Sequence, residues 1–167
     1  MTERKKRVFL AGRIDGLPDE DACAWRLWAA DLLRMADFQP VDPTRCFGQH
    51  RFREDELFHE IVSQNHCDIL TCDYMIAKCD EPSWGTPMDI KEAWDRGVKI
   101  VLFRTSVHKY YKAKEDARNR PTSSTDTRVP EVDWSPYLRF HSHARVESLS
   151  EAVAWCVRHR QELSEKS

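Results

Sequence analysis

The 167-residue chain lacks most of the features that assign a protein to a class at first sight. Its formal net charge is only −2, so the composition does not favour a nucleic-acid polymer or a membrane surface as partner. No apolar run approaches the length of a membrane span, and no signal-peptide-like stretch follows residues 1–7. We therefore expect a cytoplasmic protein, with a length suited to one domain over residues 1–167.

Cysteine and glycine are present, but not in the spacings typical of common cofactor sites. The six cysteines include no CxxC pair, so we expect reduced, mostly buried thiols and neither a zinc site nor a redox dithiol. The turn Gly12-Arg13-Ile14-Asp15-Gly16 does not match the GxGxxG pattern of dinucleotide-binding folds. This mismatch argues against a nicotinamide cofactor.

Apolar runs alternate with helical stripes along most of the chain. Strands are predicted at 7–11, 38–41, 68–72, 98–103 and 137–140, and helices at 21–36, 54–67, 87–96 and after a capping box at 148–151. On the first helix, Trp25, Trp28 and Leu32 are predicted to face inward. The order predicts an α/β fold with a doubly wound parallel sheet of about five strands and helices on both faces. The polar segment 105–135 is predicted to be a flexible loop or lid.

Three groups of polar residues follow or precede the predicted strands, and ligands of open α/β sheets bind at the carboxyl ends of the strands. Each candidate also has an ordinary structural role; an acid in the first turn of a helix contributes a few tenths to about 1 kcal/mol by itself. Trp84 differs, because it has no periodic core partner and could stack on a base or sugar. The candidates are Gly12 and Arg13, then Glu60 and Asp68, then Ser83, Trp84, Gly85 and Asp89.

The order and spacing of these segments resemble the nucleoside 2-deoxyribosyltransferase family, from Arg7 to about Phe103. The segments that carry the resemblance are 8–12 (Val-Phe-Leu-Ala-Gly), 38–43 (Phe-Gln-Pro-Val-Asp-Pro), Glu60 with 67–70 (Cys-Asp-Ile-Leu), 85–89 (Gly-Thr-Pro-Met-Asp), Ala93 and 97–101 (Gly-Val-Lys-Ile-Val). The resemblance implies a flavodoxin-like fold and cleavage of the N-glycosidic bond of deoxynucleosides, with transfer of the sugar to another base. A sister branch of the family hydrolyses nucleoside 5′-monophosphates instead.

The resemblance also implies roles for individual residues. Asp89 lies where the family has its nucleophilic Glu, which attacks the anomeric carbon and forms a covalent ribosyl-enzyme. Glu60 falls where the family has an Asp that orients sugar or base, and Phe9 where many members have a Tyr near the nucleophile. Phe9 or Met88 packed against C2′ would favour deoxyribose. The site implied by the resemblance therefore has a shorter nucleophile and one hydroxyl fewer.

Ser83 is the residue that separates the two branches. Transferases tend to place an Asp there for the sugar 5′-hydroxyl, whereas the hydrolases place a Ser that helps to hold the phosphate. The helix start at Ser83 would suit an anion, and Arg13 could add a charge-assisted contact. The hydrolases' phosphate Arg corresponds to Asp15, however, which would repel a phosphate. A transferase is favoured; the hydrolase and a catalytically weak or inactive binding module remain open.

The implied partners are a nucleoside or nucleotide and a free nucleobase. A homodimer or higher homo-oligomer with shared active sites is also implied, in which a neighbouring subunit contributes a residue from the region of Asn119 or of His141 and His143. No metal and no organic cofactor is expected, because carboxylates, positioning and protonation of the base suffice for the chemistry.

Overall fold

A computed structural model of the chain describes residues 4–14, 17–46, 54–80, 83–105 and 134–165. The strands within these ranges are β1 (Arg7–Ala11), β2 (Gln39–Val41), β3 (Tyr74–Lys78), β4 (Lys99–Phe103) and β5 (Ala144–Val146). The α-helices are α1 (Asp19–Met35), α2 (Glu54–Leu70), α3 (Gly85–Asp95), α4 (Pro136–Phe140) and α5 (Leu149–Glu165), and a 3₁₀ helix spans Pro43–Cys46.

The strands form one parallel sheet with the order β2-β1-β3-β4-β5. Phe9 of β1 is in register with Val41 on one side and with Met75 on the other. From β1 the chain adds β2 on one side of the sheet, and it then adds β3, β4 and β5 on the other side. This change of side lies between β1 and β3, so a crevice is expected at the carboxyl ends of these two strands. The predicted flavodoxin-like, doubly wound α/β fold is confirmed.

Alternate residues of the strands supply two separate cores, one on each face of the sheet. On one face, Leu10 of β1 and Ile76 of β3 pack with residues of α1 and α5. On the other face, Phe9 and Met75 pack with Ile90 of α3 and with Ile69 of α2. The helices therefore cover both faces, and only the ends of the strands are left to form a site.

The strand predicted at 68–72 is wrong, because these residues belong to the end of α2 and the turn after it. The turn is closed by bonds that Thr71 N–H and Cys72 N–H donate to the carbonyls of Asp68 and Ile69. The strand is the second apolar run, Tyr74–Lys78, in which the first four residues are buried. Two short apolar runs lie on either side of Asp73, and periodicity alone does not show which of them is the strand.

The strand predicted at 137–140 is also wrong, because this segment forms the short helix α4. Pro136 occupies the first helical position, where its missing N–H costs nothing, and β5 follows only at Ala144–Val146. The serine half of the predicted capping box is confirmed, because Glu151 N–H donates to Ser148 Oγ over 3.3 Å; the Glu151 carboxylate accepts from Glu147 N–H, one residue before Ser148. The loop predicted at 105–135 lies outside the described residues except at its ends.

The inward face of α1 differs from the predicted one. Trp28, predicted to face the core, is 54% exposed, whereas Ala22, Arg26 and Leu33 are buried. Small residues let the helix approach the sheet closely, and Arg26 is buried among them. No helix in the described ranges is both long enough and apolar enough to cross a membrane.

Candidate active site

The polar end of the sheet lies where β1 and β3 end and α3 begins. Gly12 follows β1 directly, and an added Cβ at Gly12 would lie 3.4 Å from the Cβ of Lys78, the last residue of β3. Ser83 immediately precedes the first turn of α3, and Asp89 lies one turn into that helix. The turn after β1 and the start of α3 are thus at the same edge of the sheet, the edge predicted from the fold class.

Asp89 is a carboxyl group with a strongly altered pKa at this edge. Burial raises its pKa to about 7, and the negative charge of Glu92 on the same helix acts in the same direction. A hydrogen bond from the side chain of Asn65 and the positive charge of Arg26 lower the pKa of Asp89 and oppose this effect. A carboxyl group that titrates near neutral pH is present in both forms, so it can act as nucleophile, base or acid.

Asn65 of α2, and not Glu60, is the side chain that this helix presents to Asp89. Glu60 is exposed to solvent, and the structure does not bring it to Asp89, so its predicted catalytic role stays a prediction. The two residues are five positions apart, about 140° around the helix, so they cannot share a face. The prediction of Glu60 rests on the family resemblance and on its place in the helix before Asp68, and neither signal indicates Asn65. Sequence reasoning therefore missed Asn65.

Asp68 is also removed from the candidate site. It lies in the last turn of α2, and its Oδ1 atom is 3.9 Å from Nη2 of Arg7, the first residue of β1. Arg7 and Asp68 are therefore at the amino edge of the sheet, opposite Asp89. Residues His141 and His143 do not reach this site within the chain either: His143 N–H donates to the Ile100 carbonyl near the start of β4 over 2.8 Å. Asn119 lies outside the described residues.

The first turn of α3 is organised by Ser83. Its Oγ accepts hydrogen bonds from Thr86 N–H over 3.3 Å and from the Thr86 hydroxyl over 3.2 Å. Thr86 is buried, whereas Trp84 is 96% exposed and Met88 is 70% exposed. An added Cβ at Gly85 would meet no atom within 4 Å. The start of the helix therefore has the Ser83 hydroxyl bonded to Thr86, and it exposes the side chains of Trp84 and Met88 to solvent.

Phe9 and Gly12 have structural roles that the sequence did not indicate. Phe9 is 0% exposed and lies in the core beside α2 and α3, so it contributes no surface for a substrate in this conformation. A Cβ at Gly12 would lie 2.9 Å from Trp25 Cζ2 and 3.3 Å from Arg26 Nη2. Gly12 is therefore required by the packing of α1 against β1. Arg13, the next residue, is half-buried at the edge.

Arg26 is the second residue that sequence reasoning missed. Its guanidinium is fully buried and donates from Nε to the Leu10 carbonyl over 3.2 Å and from Nη2 to the Gly12 carbonyl over 2.7 Å. Asp42, just after β2, has its Oδ1 3.8 Å from Arg26 Nε. The pKa of Arg26 falls to about 10 through burial, opposed by Asp42, Cys23 and Asp89. Arg26 keeps its charge at neutral pH.

Three further polar residues, Lys78, Asp80 and Thr105, lie near the carboxyl ends of β3 and β4. Lys78 Nζ is 3.4 Å from Asp80 Oδ2, and Asp80 accepts hydrogen bonds from the backbone and hydroxyl of Thr105. Among the described residues, no three His, Cys, Asp or Glu side chains are close enough together to hold a metal ion.

Comparisons with known proteins identify the fold. No family model matches the sequence, and no curated protein matches it. A solved 2-deoxyribosyltransferase from the psychrotolerant bacterium Bacillus psychrosaccharolyticus superposes with a TM-score of 0.60 at 14% identity, over 88% of this chain and 90% of that one. The two chains share a fold. At this identity, the likeness shows nothing more about the chain.

Two other structures are also similar. A conserved protein from Enterococcus faecalis V583 gives a TM-score of 0.61 at 14% identity, over 94% of this chain and 99% of that one. A CMP N-glycosidase from Clostridium botulinum gives only 0.47 at 17% identity, over 90% and 98%, which is too low to support an argument.

Proposed function

We propose that the protein is a nucleoside 2-deoxyribosyltransferase that uses Asp89 as its nucleophile. The observation that carries this proposal is a carboxyl group with a pKa near 7, held by Asn65 at the switch point of the sheet. The shared fold with a solved 2-deoxyribosyltransferase supports the same conclusion. A carboxyl group with a perturbed pKa at the switch point of a parallel sheet is a candidate for catalysis on physical grounds.

In the proposed reaction, the ionised Asp89 carboxylate attacks C1′ of the sugar as the bond from C1′ to the base nitrogen breaks. The base leaves with the electron pair of that bond and takes up a proton from solvent. The sugar is then held as an ester of Asp89. A ring nitrogen of a second base attacks C1′, loses its proton, and releases the carboxylate. Two displacements at C1′ give net retention.

The other residues at the edge would position the substrate. Asn65, whose side-chain hydrogen bond lowers the pKa of Asp89, would orient the Asp89 carboxylate. The exposed indole of Trp84 offers a face on which a base can stack. Ser83, Gly85 and Met88 line the same helix start. The proposed partners are therefore a nucleoside and a free base, and the proposed chemistry requires no cofactor.

A nucleoside 5′-monophosphate N-glycosidase is the second candidate. It is favoured by the Ser83 hydroxyl at a helix start, and by Lys78 and Arg13 at the same edge, since a helix start and nearby cations suit a phosphate. Lys78 is close to Asp80, which offsets part of its charge. A nucleoside-binding module without catalysis is the third candidate, since Phe9 offers no hydroxyl and Asp89 is shorter than a glutamate. Each candidate would act as a homo-oligomer, which the sequence resemblance implies, and in the cytoplasm, which the composition and apolar runs of the sequence lead us to expect.

The test is chromatographic analysis of products from purified protein. One reaction contains thymidine or deoxyinosine with free adenine, and another contains deoxynucleoside 5′-monophosphates without an acceptor. We expect deoxyadenosine in the first reaction, none with Asp89→Ala, and normal amounts with the matched control Asp95→Ala, which removes an exposed acid of the same helix. Free base from monophosphates alone would establish the hydrolase, and binding without turnover the third candidate.

A further inference from the structure

The backbone of Ile100, the second residue of β4, is held by a single histidine. His143 N–H donates to the Ile100 carbonyl over 2.8 Å, and Ile100 N–H donates to Nδ1 of the His143 ring over 3.0 Å. His143 directly precedes β5, whose pairing with β4 begins at Val101 and Ala144. Ile100 is fully buried, so its N–H depends on this ring for an acceptor. The imidazole thus stands where a carbonyl would continue the ladder between the two strands.

The bond to Ile100 fixes where the His143 ring carries its proton. A backbone N–H can only donate, so Nδ1 must offer a lone pair and the proton of the neutral ring lies on Nε2. A second proton would have to go to Nδ1, where it would face the Ile100 N–H. His141 is arranged the other way, because its Nδ1 lies 2.8 Å from the Tyr137 carbonyl, which can only accept. Protonation therefore breaks the bond of the His143 ring and leaves that of His141 in place.

The groups around the His143 ring come from α3, α5 and β4. The indole of Trp94 on α3 has its centre 5.1 Å from the imidazole centre, and the indole of Trp155 on α5 lies at 6.5 Å. Burial lowers the pKa of His143, and the positive charges of Lys99 in β4 and of protonated His159 on α5 lower it further. Each cause favours the neutral ring that Ile100 requires. His143 is still partly exposed, so protons reach it from solvent.

Trp94 connects this ring to α4. It also contacts Phe140 and His141 of that helix, with ring centres 5.8 Å apart in each pair. Among the described residues, the charges that act on His143 are those of Lys99 and His159. Other charged side chains of the elements packed here bond to groups elsewhere, and these are Lys91 with Asp95, Glu92 with His66 and Arg96, Arg160 with the carbonyls of Ala36 and Asp37, and Arg145 with the carbonyl of Arg139.

We propose that His143 is a pH-sensitive switch, whose neutral ring holds α4 and the start of β5 against β4 and whose protonation releases them. A proton on Nδ1 takes away the acceptor of the buried Ile100 N–H, and this N–H regains a partner only if the segment moves outward and admits water. The bonds that join β1, β3 and β4 are made between backbone groups, which do not titrate. The opening is therefore local. It lies at the amino edge of the sheet and does not rest on the proposed function.

The direction of the pH effect follows from proton linkage. In the closed segment the pKa of His143 lies below its ordinary value of 6.5, and in the opened segment it returns to that value. Below about pH 6.5 the opened form therefore binds more protons, so the closed form loses stability as the pH falls. The loss ends once the pH falls below the pKa of His143 in the closed form as well.

The first experiment is a ¹⁵N NMR titration of the histidine rings in the unsubstituted protein. We expect neutral His143 to carry its proton on Nε2, and neutral His141 to carry its proton on Nδ1. We also expect the Ile100 amide signal to move with the His143 midpoint, because the two groups share a hydrogen bond. A neutral His143 with its proton on Nδ1 would overturn the proposal.

The second experiment measures amide hydrogen exchange of Ile100 as the pH is lowered from about 7 to about 5, relative to that of Lys99. Lys99 N–H in the same strand donates to the Asp73 carbonyl over 3.0 Å, and this acceptor does not titrate. We expect the protection of Ile100 to fall by up to about tenfold per pH unit while that of Lys99 stays. Equal losses at both amides would contradict the proposal, because acid would then unfold the sheet as a whole.

Two substitutions separate the switch from an ordinary structural role. His143→Asn keeps an acceptor close to the position of Nδ1 but does not titrate, and His141→Asn is the matched control, because His141 also contacts Trp94. We expect the pH dependence of Ile100 exchange to vanish in His143→Asn and to stay in His141→Asn; its persistence in His143→Asn would refute the switch. If His143→Asn does not fold, the two experiments on the unsubstituted protein still decide. Neither uses a substrate, so a failure of the transfer assay leaves their outcome unaffected.

Discussion

The most informative substitution at the site is Asn65→Leu, because it removes the hydrogen bond to Asp89 while keeping the side-chain size. A hydrogen bond to a charged group contributes about 1.5–3 kcal/mol, and about 1.4 kcal/mol corresponds to one pKa unit. Loss of this bond therefore raises the pKa of Asp89 by about 1–2 units from its value of about 7. Asn65→Leu should thus leave Asp89 mostly protonated at neutral pH.

The consequence for the reaction follows from the ionised fraction. At pH 7 this fraction falls from about one half to between about 1% and 10%, so kcat/KM should fall roughly 5–50-fold. The loss should shrink as the pH is raised, because the nucleophile ionises again. The assay is the pH profile of kcat/KM for deoxyribosyl transfer, with Gln64→Leu as the control at an exposed amide of the same helix. If folded Asn65→Leu loses activity on the acid side of the kcat/KM profile at the same pH as the unsubstituted protein, the reasoning is refuted.

Three further predictions concern the same residues. Asp89→Glu should lower kcat/KM on the order of a hundredfold, because a carboxylate displaced by about 1 Å loses its alignment with C1′; equal or higher activity would contradict this fit. Gly12→Ala should destabilise the fold by about 1–3 kcal/mol in denaturant unfolding through the contact with Trp25, whereas Gly85→Ala, with open space around it, should not. Asp89→Asn should stabilise the protein more at pH 8 than at pH 4. The pKa of Asp89 is raised from 3.8 to about 7 in the native protein. Between these two pH values the native protein binds more protons than the unfolded chain, so the unsubstituted protein loses stability as the pH rises. A difference in melting temperature between the two proteins that does not depend on pH would contradict this.

The sequence predicts the parts of the fold that follow a clear period. β1 and β4 are apolar runs with plain boundaries, and the end of α3 is marked by Gly97, whose φ of 73° is one that glycine adopts without strain. Ser148 caps the start of the final helix, as predicted. These local signals were enough to predict the parallel sheet and the edge at which Asp89 lies.

The errors arise where tertiary contacts decide between two local patterns. Ile69 and the run beginning at Tyr74 are both apolar, and only the packing of α2 against the sheet shows that the first is helical. The predicted strand start is what brings Asp68 into the predicted site, whereas Glu60 enters it through the family resemblance. Arg26 could not be predicted, because an arginine within a helix usually lies at the surface. Its burial depends on carbonyl groups that the fold brings to it.

The central claim is that Asp89 becomes covalently bound to the sugar. The most direct test is mass spectrometry of the protein quenched in acid during turnover of a deoxynucleoside without acceptor base, followed by peptide mapping. We predict a deoxyribosyl adduct on the peptide that contains Asp89, absent in Asp89→Asn and lost when adenine is added before the quench. Release of base with no adduct, or an adduct on another residue, would contradict the assignment of Asp89 as the nucleophile.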